Sequence, residues 1–198
     1  MNNGDVSQGR RRFLIGATSV VGGIGVVGAA VPFVASWNPS ARAEAAGAPV
    51  TVNVSKLEPG QQMTVEWRGK PVWVVRRTDD MAERILEMND RVKDPLSEEA
   101  SQPDYIDGPL RSLKDGYAVL IGICTHLGCS PQYRPEVSPA DLGEDWLGGY
   151  FCACHGSKYD LAGRVYPNQP APSNLVIPPH RYDDEFTLTV GLDPEGAA

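Results

Sequence analysis

The chain has 198 residues, of which 41% are hydrophobic and 22% charged, and its formal net charge is −7. This is room for one ordinary domain with an appendage rather than two full domains, and the apolar content excludes wholesale disorder. The acidic balance argues against nucleic-acid binding, which needs a basic footprint on phosphate.

Residues 1–12 are polar and contain Arg10, Arg11 and Arg12, whereas Phe13 to Ser36 carries no charge. As a helix, residues 13–36 would run about 36 Å, enough to cross a hydrocarbon core of about 30 Å. A cleaved signal peptide has a shorter apolar region of about 7–15 residues, so a retained single-span transmembrane anchor is expected. Flanking arginines stay on the cytoplasmic side. Residues 1–12 are then cytoplasmic, and everything beyond the anchor is exported. Arg10-Arg11-Arg12-Phe13-Leu14 also matches a twin-arginine export pattern, the route of proteins that fold before crossing. Residues 37–49 are small and Ala-rich, with Pro39 and Pro49 among them. They read as a flexible hinge reaching about 45 Å when fully extended. The remainder is acidic, which serves solubility in the first place and, as a second reading, suits attraction to a basic partner surface.

Residues 50–198 form the head. Val50–Val54 alternates apolar and polar residues, and Met63–Trp67 and Val72–Val75 flank Arg68-Gly69-Lys70-Pro71, a hairpin signal. Thr78–Asp90 reads as a short helix, with Thr78 as N-cap and Asp79 and Asp80 in its first turn. Residues 93–116 are loop-like, Tyr117–Ile123 is an apolar strand, and Pro131–Gly149 is expected to be an ordinary surface loop. Arg181–Val190 reads as a last hairpin turning at Asp183-Asp184. The fold class predicted is all-β: a small antiparallel head with one short helix, on a single N-terminal membrane helix.

All 4 Cys and two of the 3 His lie in two short segments. One is Cys124-Thr125-His126-Leu127-Gly128-Cys129, and the other is Cys152-Ala153-Cys154-His155-Gly156-Ser157. Thiolates and imidazoles a few residues apart are the signature of a metal site. Six candidate ligands are too many for one tetrahedral ion. Two sulfide-bridged irons need four, and a disulfide could absorb the other two Cys in an exported domain. Four Cys allow three pairings, and the residues alone do not choose among them. His180 lies outside both segments and is expected at the surface or in packing.

The two segments closely resemble the cluster-binding boxes (residues 124–129 and 152–157) of the Rieske iron–sulfur proteins, in particular the subunit found in bacterial bc-type quinol–cytochrome c reductases. The resemblance extends over anchor, hinge, β head with its cluster-binding subdomain, both boxes and a later proline loop. It implies one [2Fe-2S] cluster, with Cys124 and Cys152 on one iron and His126 and His155 on the other, and a Cys129–Cys154 disulfide. It implies that both histidines sit at the exposed tip and that His155 accepts a hydrogen bond and a proton from ubiquinol. Ser157 would bond a bridging sulfide and Tyr159 the Cys124 sulfur. Leu127 would shield the cluster at the quinol pocket, and Pro170 would belong to the loop covering its other side. The family usually has Gly where this chain has Gln169, a residue less tolerant of left-handed backbone.

Two thiolates leave an oxidised cluster neutral where four would leave it doubly negative, so imidazole ligation raises the potential. Hydrogen bonds to sulfur raise it further, toward the upper end of the Rieske range at about +300 mV. The resemblance therefore implies an electron-transfer subunit of the respiratory chain. It would take an electron from ubiquinol at cytochrome b and pass it to a c-type cytochrome in a dimeric complex, with the head periplasmic and the anchor in a bacterial inner membrane. The alternative is the small Rieske subunit of a periplasmic oxidase of the arsenite oxidase type. A two-Cys, two-His zinc module is disfavoured by the spare Cys pair. A ring-hydroxylating oxygenase is disfavoured by the same pair and by the lack of room for a second iron domain.

Overall fold

The computed structural model describes residues 7–99 and 102–197; residues 1–6 of the predicted cytoplasmic arm lie outside the described residues. The chain divides into two units, Met1–Ala45 and Ala46–Ala198. In the first, α1 spans Gln8–Ala35, 28 residues or about 42 Å of helix. It starts at Gln8 rather than at Phe13, because the three arginines are good helix formers. None of its residues is buried, and it is long and apolar enough to cross a membrane. The expected flexible hinge at 37–49 is corrected in part: α2, a helix of 7 residues, spans Ala41–Gly47. Alanine is the best helix former, and the Ser40 hydroxyl accepts from the Ala43 N–H at 3.2 Å.

The head is built from three antiparallel sheets of three strands. The first pairs β1 (Val50–Asn53) with β9 (Thr187–Val190) and β9 with β8 (His180–Tyr182). The second orders β2 (Gln62–Trp67), β3 (Lys70–Arg76) and β4 (Tyr117–Ile121). The third orders β5 (Gln132–Arg134), β6 (Gly149–Cys152) and β7 (Ser157–Asp160). The β2–β3 turn is the predicted one: Arg68 and Gly69 have φ of 53° and 69°, the positive pair that a two-residue hairpin with the native strand twist requires.

The second sheet is central, which explains why β3 reads as unbroken apolar sequence rather than as an alternation. Val72 and Val74 pack on one face with Val119, Leu188 and Val190. Trp73 and Val75 pack on the other with Leu120, Cys124, Tyr150, Cys152 and Tyr159. A strand buried on both faces loses the period of two. The two cysteines thus belong to a hydrophobic core rather than to a surface loop.

The helix α3 spans Asp79–Glu87, with the Thr78 hydroxyl accepting from the Met81 N–H at 3.2 Å. It stops short of the predicted Asp90, and a 3-10 turn spans Asn89–Arg91. The Arg164 guanidinium occupies this junction, donating to the Ile85 carbonyl and to Asn89 Oδ1. Pro131–Gly149 is not the ordinary surface loop expected. It supplies β5, and its Trp146 is 1% exposed with Nε1 donating to the Arg134 carbonyl. His180 is a packing residue, with Nδ1 2.9 Å from the Pro178 carbonyl and burial holding its pKa below the usual value.

Gly149 opens β6 at φ 153°, and a Cβ there would sit 1.9 Å from the Tyr159 carbonyl oxygen. A bare backbone is therefore needed where β6 passes β7.

Candidate metal centre

Strand β4 leads into the first Cys/His loop, and strand β6 runs straight into the second. Each loop closes on itself in the same way. The Gly128 N–H donates to the Cys124 carbonyl at 3.1 Å, and the Gly156 N–H to the Cys152 carbonyl at 2.9 Å. A Cys129–Cys154 disulfide ties the two loops together, with Cα atoms 6.7 Å apart.

The other two cysteines, Cys124 and Cys152, are free and buried. The sulfurs of Cys129, Cys152 and Cys154 lie within 4.8 Å of one another. Two of these are consumed by the disulfide, so no three-thiolate site exists among them. Burial and the neighbouring Cys124 push the Cys152 thiol up, and a metal binding there must displace that proton. His126 is half-buried and His155 exposed. Their rings meet edge to face, with centroids 4.7 Å apart at 86°. His126 Nδ1 is buried without a hydrogen-bond partner, a state that normally needs an explanation such as an absent ion.

Tyr159 reaches this centre from β7. Its hydroxyl lies 3.2 Å from Cys124 Sγ, accepts from the Thr125 N–H at 3.2 Å and lies 3.1 Å from Thr125 Oγ1. Burial first, then the Cys124 contact, hold its pKa well above the usual phenol value, so it remains a proton donor. Thr125 in turn donates from Oγ1 to the Ser173 carbonyl at 2.7 Å. Ser157 is fully buried and accepts from the Ala171 N–H at 3.1 Å. Leu127 is 71% exposed beside the centre, and Pro170 is exposed on the adjoining loop. The left-handed residue of that loop is Asn168, at φ 56°. Gln169 is spared it, and asparagine tolerates it well.

The structure thus brings Cys124, His126, Cys152 and His155 together, with Ser157 and Tyr159 behind them. Sequence reasoning missed Thr125, although it lies inside the first box. It also missed the Asp160–Arg164 ion pair, 2.7 Å long with both side chains buried, whose only signal was two charges in an apolar stretch.

Residues 48–179 match the family profile described as "Rieske [2Fe-2S] domain". The chain belongs to the Rieske family. Residues 1–40 match a second profile, "Ubiquitinol-cytochrome C reductase Fe-S subunit TAT signal". The Rieske chain is 58% identical to the ubiquinol-cytochrome c reductase iron-sulfur subunit of Allochromatium vinosum over 95% of its own length and 91% of that relative. It is 41% identical to the subunit of the same name from Rhodospirillum rubrum, over 92% of its length and 91% of the relative. A solved structure titled "Hyperthermophilic respiratory Complex III" aligns with TM-score 0.48 and 28% identity, over 89% of this chain and 98% of that one. The subunit is therefore a membrane-anchored, exported member of a cytochrome bc complex with a Rieske [2Fe-2S] domain. The donor set fits that cofactor: two free buried thiols, two adjacent imidazoles and an unpartnered His126 Nδ1.

Proposed function

We propose that this subunit takes electrons from ubiquinol at the cytochrome b quinol site and passes them to a c-type cytochrome. Cys124 and Cys152 would hold one iron, and His126 and His155 the other. When bound, the [2Fe-2S] group supplies one-electron acceptance at a potential raised by imidazole ligation. The observation carrying this reading is the convergence of two free buried thiols with a histidine pair of which His155 is open to solvent.

The side chains divide the remaining work. His155, exposed at the tip, accepts the quinol's hydrogen bond and proton. Leu127 offers an apolar contact for the quinol pocket, and Pro170 covers the other side. Tyr159 keeps its proton and donates it toward the Cys124 thiolate, which has none to give. The arginines at positions 10–12 keep the N-terminus cytoplasmic, so the head lies in the periplasm of a bacterial inner membrane. Residues 37–49 serve as the hinge on which the head moves between its two partners, with α2 as a short stiff segment within it.

Tyr159→Phe is expected to lower the midpoint potential. A hydrogen bond to a charged acceptor worth about 1.5–3 kcal/mol corresponds to roughly 65–130 mV for one electron. Redox titration checks this, and an unchanged potential removes Tyr159 from the role. The reading as a whole is tested by electron paramagnetic resonance on isolated membranes poised with ascorbate. A rhombic reduced-cluster signal that changes with quinol-site inhibitors is expected. Absence of the signal in zinc-containing protein would overturn the redox reading. A signal indifferent to those inhibitors would overturn the quinol site.

A further inference from the structure

The stretch Pro170-Ala171-Pro172 contains one amide hydrogen, that of Ala171, because proline has none. It donates to Ser157 Oγ at 3.1 Å, and both residues are buried, at 2% and 0% exposure. A hydroxyl carries one proton and two lone pairs. The Ala171 N–H occupies a lone pair and cannot itself accept, so the Ser157 proton is turned away from the proline loop. Among the described residues that proton has no protein acceptor. The amide is also held firmly in place. The Ser173 carbonyl accepts from Thr125 Oγ1 at 2.7 Å and the Pro172 carbonyl from Lys93 Nζ at 2.8 Å. Asn174, fully buried, accepts from the Val165 N–H and donates to the Asp94 carbonyl and to Ser97 Oγ.

We propose that the Ala171 N–H is a positioning group: it fixes the Ser157 rotor so that the hydroxyl proton is held ready for a sulfide of the [2Fe-2S] group. This rests on the reading of the site given under Proposed function. The loop over the site then acts on the redox potential through one backbone hydrogen rather than only by covering. A hydroxyl already oriented costs nothing to reorganise when charge arrives. A freely rotating hydroxyl would spend part of its time turned elsewhere.

The test is redox titration of the full-length subunit in membranes as wild type, Ala171→Pro, Ser157→Ala and the double variant. Residue 171 already precedes a proline and is restricted to extended backbone, which makes proline the least disruptive way to delete the N–H. At a fixed poise, Ala171→Pro is expected to lower the reduced-to-oxidised ratio by roughly three- to tenfold, the worth of one hydrogen bond. Ser157→Ala should lower it at least as much, and the double variant no further than Ser157→Ala, since both act through one hydroxyl. A wild-type ratio in Ala171→Pro, or additive shifts in the double variant, would overturn the inference while leaving the site reading intact. A wild-type ratio in Ser157→Ala would overturn the role of Ser157 and this inference with it. If Ala171→Pro assembles no cluster, hydrogen–deuterium exchange at Ala171 decides the matter. Exchange should be faster in Ser157→Ala than in wild type, because the amide has lost its acceptor, and equal rates would overturn the inference.

Discussion

Replacing Arg164 with methionine is expected to destabilise the head by about 3–5 kcal/mol, the cost of leaving a buried charge without its partner. The Asp160 carboxylate is 1% exposed, and its Oδ2 depends on Arg164 Nε at 2.7 Å. Its Oδ1 keeps the Ala162 and Arg164 backbone N–H groups, so the loss is confined to one oxygen. The guanidinium also joins β7 to α3 through the Ile85 carbonyl and Asn89, and Tyr159 immediately precedes Asp160. The stability loss should therefore be accompanied by a disturbed cluster spectrum. Denaturant midpoints of the purified full-length subunit, with and without the substitution, measure the first effect. Adding Asp160→Asn to the methionine variant should recover a large part of the loss, because it removes the stranded charge while retaining an acceptor for the two amides. A single variant as stable as wild type would show that the pair contributes nothing.

The paired substitution of Cys129 and Cys154 by serine is expected to have a comparable effect on stability and a larger one on the cofactor. The disulfide spans a sequence separation of 25, and freeing a loop of that size costs about 3–4 kcal/mol in the chain-entropy account. Each cysteine of the bridge sits within three residues of a histidine proposed as ligand. Both loop tips would be released from one another. Bound iron per subunit should fall to a small fraction, and the reduced-cluster signal with it. Full iron content with an unshifted unfolding midpoint would mean that the sheets alone hold the two loops together.

The chemistry of the centre was legible because it is local. Two boxes of six residues hold every cysteine and offer six candidate ligands without reference to the fold, whereas the choice of four among them and the pairing of the other two came only from the resemblance to the Rieske boxes. The hairpin at Arg68-Gly69 and the cap at Thr78 were legible for the same reason, since turn and cap chemistry depends on a few adjacent residues. What remained hidden is what depends on distant partners. Residues 131–149 are polar enough to read as a loop, yet the pairing of β5 with β6 and the burial of Trp146 make both ends of the stretch part of the head. The end of α3 is set by Arg164, far along the chain. The short helix inside residues 37–49 stayed hidden for another reason: alanine-rich sequence suits both a tether and a helix, and Ser40 tips residues 41–47 toward the helix. The role of the backbone amide at Ala171, in a loop, was invisible because its partner Ser157 lies on β7.

Gly149 carries no functional atom and lies in neither box, yet its bare Cα lets the Tyr159 carbonyl pass where any side chain would collide. Enlarging it would push on the same residue whose hydroxyl meets Cys124. A random-mutagenesis screen for lost electron transport should thus recover changes at 149 alongside those at the cysteines. Such a genotype would look like damage to a scaffold while its phenotype resembled damage to the centre itself.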